Sequence, residues 1–120
     1  TDSAFANFPE MITYYYKNLG PLKYIFSALS RVLGRYVLKL DFTKNSPEYF
    51  IGHIKSPILI IHSKEDDFVP YEHAERLFRS ASEPKKLLVV EGRHIGLDHA
   101  FTQEYQDAVR EFFLKHLSSQ

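Results

Sequence analysis

Two short polar segments carry the residue types that acid–base catalysis needs. Glu65, Asp66 and Asp67 form an acidic cluster, and His94 and His99 lie further along the chain. A carboxylate that accepts a hydrogen bond from one imidazole nitrogen orients the ring and stabilises its protonated form. The other nitrogen then takes a proton from a nucleophile, because the ordinary pKa of imidazole lies near neutrality. The two segments predict the acid and the base of a catalytic triad, provided that the fold brings them together.

Each polar segment follows an apolar run with the length of a buried strand, at residues 57–62 and 86–90. Between the runs, Pro70 precedes a segment whose apolar residues recur at helical spacing, and residues 103–117 repeat that pattern. The apolar positions are Ala74, Leu77, Phe78 and Ala81 in the first helix and Tyr105, Ala108, Val109, Phe112 and Phe113 in the second. Strands joined by helices predict an α/β fold with a parallel sheet, whose functional residues lie on loops at the carboxyl ends of the strands.

The two loops resemble segments of the α/β-hydrolase family. Residues 62–70 read H-S-K-E-D-D-F-V-P and are similar to the family's H-G-x-x-D-x-x-V-P, with Ser63 in place of Gly. Residues 90–94 read V-E-G-R-H and resemble the Gly-x-His loop that follows the family's last strand. The resemblance implies that Asp66 is the triad acid and His94 the base of a serine hydrolase. Asp67 is the alternative acid, and His99 is the alternative base because it closes a second Gly-x-x-His segment.

The start of the chain resembles the strand end that follows the nucleophile in the same family. Residues 2–8 read D-S-A-F-A-N-F and are similar to E-S-A/P-F-T-S, while the nucleophile motif G-x-S-x-G matches nowhere in the 120 residues. We therefore expect the nucleophile and the oxyanion-hole amides upstream, and a chain that is catalytically silent alone. The expected organisation is a partial α/β-hydrolase domain over residues 1–120. It has a strand end at 1–8, a helical cap-like insertion at 9–53 and the last two strand–helix units at 54–120.

The cap-like region has three open interpretations. Leu22, Ile25, Phe26 and Leu29 fall at i, i+3, i+4 and i+7, which predicts one amphipathic helix. That helix is either an acyl- or aryl-binding lid, or plain packing against the sheet. A membrane-surface helix is the third interpretation, because five basic residues between positions 17 and 39 accompany the apolar ones before the first acid, Asp41.

Composition narrows the classes of function. The formal net charge is zero, which gives no general attraction to nucleic acid. There is no Cys, which excludes disulfides and thiolate metal sites and fits a cytoplasmic protein. We expect no cofactor and no metal, since His94, Asp98 and His99 lack a fourth ligand at a recognisable spacing. His62 is expected to be structural, and His53, His73 and His116 are expected at the surface.

The combined prediction is a serine esterase, lipase or thioesterase that acts on a small-molecule ester or acyl substrate through an acyl-enzyme. A catalytically inactive binding or scaffold protein and a peptidase of the same fold are the alternatives. The expected partner is the missing N-terminal half of the same protein. Half of a parallel sheet leaves an open edge and an uncovered apolar face, so self-association is also expected.

Overall fold

The fold is built on a short parallel sheet flanked by helices. The computed structural model describes residues 1–42, 44–92 and 102–117. Strand β1 spans Ile58–Ser63 and strand β2 spans Lys85–Val90, and they pair in parallel from Ile58↔Lys85 to Ser63↔Val90. Helix α4, Tyr71–Ser80, connects them. The α/β architecture with parallel strands is confirmed, and the observed strands differ from the predicted ones by one residue at their ends.

Strand β1 is the centre of the structure, and every residue of it is buried. Successive side chains of a strand point to opposite faces, so β1 contributes to two apolar clusters. Ile58 and Ile60 pack with Ala74 and Leu77 of α4 on one face. On the other face, Leu59 and Ile61 pack against Phe112 of helix α5, which spans Gln103–Leu117. Most of the predicted apolar positions of both helices thus cover the two faces of one strand, whereas Phe113 is exposed.

The beginning of the chain pairs with the second edge of β1. Asp2 forms a parallel bridge with Ile61, the Ile61 N–H donates to the Thr1 carbonyl at 2.9 Å, and the Ser3 N–H donates to the Ile61 carbonyl at 3.0 Å. Since β2 occupies the first edge, residues 1–3 lie across β1 from β2. This pairing brings residues 1–3 to the carboxyl end of β1.

The described residues between positions 8 and 53, called here the helical region, contain three α-helices and two 3₁₀ turns. Helix α1 spans Phe8–Tyr15, helix α2 Leu22–Val37 and helix α3 Pro47–Phe50, with single 3₁₀ turns at Lys17–Leu19 and Ile51–His53. Asn7 caps α1 by accepting from the Glu10 N–H at 3.1 Å. Arg76 of α4 ties this region to the sheet, because its guanidinium contacts both Glu10 of α1 and Glu48 of α3.

Helix α2 forms as its spacing predicts, but its apolar residues do not pack on the sheet. Its buried residues are Ser27 and Gly34. Ser27 and Thr13 of α1 share a hydrogen bond of 2.7 Å between their hydroxyls. Small residues let the two helices approach closely, which leaves the large side chains of α2 pointing elsewhere. Among the described residues α2 contacts chiefly α1 and the 3₁₀ turn at Lys17–Leu19.

The position of His73 differs from the one predicted from the sequence. It was expected at the surface, yet it is buried in α4 and its Nδ1 accepts from the Ala6 N–H at 3.2 Å. Burial lowers the pKa of His73, since a charged ring would lose solvation there, and the positive charge of Arg76 acts in the same direction, while Glu10 and Glu48 oppose the shift. An accepting Nδ1 also requires the neutral ring. His73 therefore serves as a structural hydrogen-bond acceptor.

Candidate active site

Asp66 lies in the loop that leaves the carboxyl end of β1, and its side chain is fully buried. Its Oδ1 accepts hydrogen bonds from the backbone N–H groups of Phe68 at 2.9 Å and Val69 at 2.7 Å. These bonds hold the loop in a tight turn and favour the ionised carboxylate. Burying an ionised carboxylate without such donors would reduce the free energy of unfolding by several kcal/mol, on the order of magnitude expected for an unpaired ion. The sequence around Asp66 therefore builds a fixed anionic acceptor.

Asp67 has a different environment, because it is exposed. Its backbone carbonyl accepts from the Tyr14 hydroxyl at 3.1 Å and from Lys17 Nζ at 3.3 Å. The neighbouring backbone thus contacts the helical region through α1 and the turn that follows it. Of the two acids weighed from the sequence, Asp66 has the buried carboxylate and Asp67 anchors the loop through its main chain.

Ser3 is a site residue that sequence reasoning missed. Its hydroxyl donates to Asp66 Oδ2 at 3.0 Å, across 63 positions of sequence. Its φ is +40°, in the left-handed region that disfavours residues with a side chain. The strained backbone directs the hydroxyl at the carboxylate, and backbone strain of this kind concentrates at functional sites. Ser3 belongs to the D-S-A-F segment, whose resemblance to the family singled out this part of the chain. The sequence did not indicate that Asp66 is the hydrogen-bond partner of Ser3.

His62, on strand β1, contacts the same loop. Its ring is buried, and Nε2 lies 2.8 Å from the Val69 carbonyl. A carbonyl only accepts, so Nε2 carries the proton and Nδ1 is unprotonated in the neutral ring. Nε2 also lies 3.6 Å from Asp66 Oδ2, which is too long for a hydrogen bond. Within the described residues Nδ1 has no hydrogen-bond partner. His62 thus closes the turn that positions Asp66, in agreement with a structural role.

Ser63 links the acid loop to the loop that was predicted to carry the base. Its hydroxyl donates to the Gly92 carbonyl and accepts from the Glu65 N–H at 3.1 Å. Gly92 has φ +107°, which a residue with a side chain rarely adopts. Because Ser63 pairs with Val90 at the carboxyl ends of the two strands, both loops begin at the same edge of the sheet. The predicted base His94 and its alternative His99 lie outside the described residues.

An aromatic cleft begins next to the acid loop. Its volume is about 360 Å³, and it is bounded by the acid loop, by the segment after Ser3 and by α1. Phe68 links it to the site, because the Phe68 N–H donates to Asp66. The Ser30 hydroxyl within it is engaged by the Tyr16 hydroxyl at 3.1 Å. The lining residues are Phe5, Phe8, Met11, Ile12, Tyr15, Tyr16, Ser30, Phe42 and Phe68. Such a lining suits an apolar group and offers no charge to a polar one.

The described residues hold neither a metal cluster nor a membrane span. Across residues 1–42, 44–92 and 102–117, no group of three or more metal-ligating side chains comes together. Asp98, once considered as a ligand with His94 and His99, falls outside these ranges. No helix in the same ranges is long and apolar enough to cross a bilayer.

Comparison with known proteins gives the family. A profile of the prolyl oligopeptidase family matches residues 10–120. The uncharacterized protein YfhR of Escherichia coli K12 is 35% identical over 86 residues, which cover 68% of this chain and 29% of YfhR. The uncharacterized protein YqkD of Bacillus subtilis is 31% identical over 117 residues, which cover 92% of this chain and 37% of YqkD. The chain thus spans about a third of the length of these relatives. It belongs to the prolyl oligopeptidase family, within the α/β-hydrolase superfamily of serine hydrolases.

Proposed function

We propose that this chain supplies the acid and the base of a serine hydrolase, and that the nucleophile is on a segment upstream of it. The observation that carries the proposal is the buried carboxylate of Asp66 at the carboxyl end of β1, held by two backbone N–H groups and the Ser3 hydroxyl. A carboxylate held in one orientation can fix the tautomer of an imidazole and stabilise its cation. Asp66 is the acid in this proposal, since the Asp67 side chain is exposed.

The reaction follows from these roles. His94, the proposed base, takes the proton of the serine hydroxyl as that oxygen attacks the substrate carbonyl, and then gives the proton to the leaving group. Water attacks the resulting acyl-enzyme in a second step with the same proton transfers. Asp66 stays ionised throughout and stabilises the imidazolium. The hydrogen bond from the Ser63 hydroxyl to the Gly92 carbonyl supports this assignment. It joins the acid loop to the beginning of the loop that contains His94 in the sequence.

The aromatic cleft supports a substrate with an apolar group next to the scissile carbonyl. Its volume of about 360 Å³ falls within the range of about 300–1,000 Å³ that is typical of small-molecule sites. An ester or thioester with a medium acyl chain or an aryl group fits this chemistry. The family match favours a second candidate, a peptidase in which the cleft receives an apolar side chain. Both candidates use the same triad and differ in the leaving group.

A fluorophosphonate probe tests the triad in a protein that carries this chain behind its upstream segment. We expect labelling of one serine, lost in Asp66→Asn and His94→Ala and retained in the control Asp67→Asn. Labelling that survives His94→Ala but disappears in His99→Ala would assign the base to His99. Absence of labelling, together with absence of G-x-S-x-G upstream, would leave the chain as an inactive binding or scaffold protein and overturn the proposal.

Substrate class is tested by rates on matched esters. We expect kcat/KM to be higher for p-nitrophenyl octanoate than for p-nitrophenyl acetate, by about tenfold if two methylene groups are buried and by more for each further one. Phe8→Ser, within the cleft, should reduce this preference without changing the rate on acetate. A prolyl p-nitroanilide that is cleaved faster than either ester would favour the peptidase. Equal rates on both esters in the unaltered protein would contradict the assignment of the cleft.

A further inference from the structure

Helix α2 presents a wide apolar surface that is largely exposed among the described residues. Ile25, Leu29 and Tyr36 are 64%, 51% and 77% exposed. At 3.6 residues per turn, seven of the exposed apolar side chains of α2 occupy an arc of roughly 120°, well away from the buried Ser27 and Gly34. The members of this arc, which we call the α2 apolar face, are Leu22, Ile25, Phe26, Leu29, Val32, Leu33 and Tyr36. Exposed apolar residues that form one continuous stripe mark an interaction surface.

The charged residues in the sequence of α2 and its flanks are all basic. Between Tyr16 and Leu40 the chain has no acidic residue, whereas it has five basic ones. Arg31 and Arg35 are exposed, lie one turn apart and belong to the polar side of α2, away from the centre of the α2 apolar face. The nearest acid in sequence is Asp41, which lines a shallow cleft with both arginines. The whole chain is neutral, so this segment concentrates positive charge beside apolar surface.

We propose that α2 lies in the surface of an anionic membrane, with the α2 apolar face among the acyl chains and the arginines at the headgroups. A continuous apolar face next to cations is the pattern of an interfacial helix. The helix has 16 residues and carries three cations, which excludes a spanning orientation. A protein partner would need acidic groups at the rim and a matching groove, whereas an anionic bilayer supplies both the charge and the apolar depth.

Vesicle flotation of the chain tests this surface directly, because it measures membrane binding and requires no enzyme activity. We expect binding to vesicles of phosphatidylcholine with phosphatidylglycerol, and much weaker binding to phosphatidylcholine alone. Ile25→Ser with Leu29→Ser should weaken binding at least about tenfold, because two exposed side chains leave the acyl region. Arg31→Gln and Arg35→Gln should each weaken it about fivefold, and added salt should reduce that difference.

The matched control is the exposed apolar surface of α5. Phe113 and Leu114 are 52% and 57% exposed, close to the values for α2, but charges of both signs flank them, among them Glu111 and Lys115. Phe113→Ser with Leu114→Ser should change vesicle binding less than about twofold. Circular dichroism checks folding of each variant, and the two arginine variants keep the test valid if the apolar double variant unfolds.

Three results would overturn the proposal. The first is equal binding to neutral and anionic vesicles, and the second is equal loss of binding in the α5 control. The third is a lack of binding to anionic vesicles by a protein that carries the chain behind its upstream segment. That result would mean that the upstream segment covers α2. A change of sedimentation coefficient in the Ile25→Ser, Leu29→Ser variant, without a change of vesicle binding, would assign the face to a contact between copies of the chain.

Discussion

Ser3 offers the most direct perturbation of the acid. Ser3→Ala removes the hydroxyl that donates to Asp66 Oδ2 at 3.0 Å and leaves the left-handed backbone at φ +40°. Ser3→Gly removes the same hydroxyl but lets the backbone adopt that φ without a Cβ. The two variants therefore share one loss and differ only in strain and chain entropy.

The magnitudes follow from the burial of Asp66, whose side chain is fully buried. Loss of a hydrogen bond to a buried charged group costs about 1.5–3 kcal/mol of unfolding free energy, which is the expectation for Ser3→Ala. Replacing Ala by Gly at position 3 removes left-handed strain of about 1–2 kcal/mol. The extra conformational freedom of Gly in the unfolded chain offsets about 0.4–1 kcal/mol of this gain in stability. Ser3→Gly should therefore be more stable than Ser3→Ala by about 0.5–1 kcal/mol.

Urea unfolding at neutral pH, followed by circular dichroism, measures both differences from the midpoint and the slope. An alanine variant as stable as the unaltered chain would show that the hydroxyl does not support the carboxylate. A glycine variant less stable than the alanine variant would show that the backbone at position 3 is not strained. Either result would refute the reasoning that links the Ser3 backbone to the position of Asp66.

Three other changes test contacts away from the acid. Burial lowers the pKa of His73, so the unfolded chain binds its proton more readily and stability falls as pH drops below the ordinary value of about 6.5; His73→Asn should flatten this part of a stability–pH profile. Gly34→Ala should destabilise by about 1–3 kcal/mol in thermal unfolding despite better helix propensity, because its Cβ would overlap the Phe42 ring, and Phe42→Ala in the same chain should remove most of that loss. Arg76→Met breaks two ion pairs of a partly exposed guanidinium, and should cost about 1 kcal/mol in urea unfolding at low salt and less in about 1 M NaCl.

The sheet and its two flanking helices could be predicted because their signals are local. A run such as residues 57–62 has no polar side chain before its end, and its length and β-branched residues are typical of a strand buried on both faces. The spacing of Ala74 and Leu77 then gives α4 a core face on its own. These features depend on neighbouring residues alone, so one sequence contains them completely.

The details of the site depend on contacts between distant residues, which a single sequence does not reveal. Ser3 acquires its partner only because residues 1–3 pair with β1, far along the chain. His73 lies one turn before Leu77 on the core face of α4, and a polar residue there becomes favourable only when the Ala6 N–H meets it. In α2, periodicity predicted the helix but not which face packs, because the buried face is made of small residues.

The acid loop connects the site to the helical region physically. The backbone of Asp67 accepts from Tyr14 and Lys17, while the N–H of Phe68 holds Asp66 and its ring lines the aromatic cleft. A shift of α1 therefore acts on the same three-residue segment that fixes the carboxylate. Helix α1 packs against α2 through the Thr13–Ser27 hydrogen bond. If α2 lies on a membrane, the membrane surface, the cleft and Asp66 are therefore linked through the consecutive loop residues 66–68. Substrate binding in the cleft and the position of the Asp66 carboxylate would then be coupled without any change in the sheet.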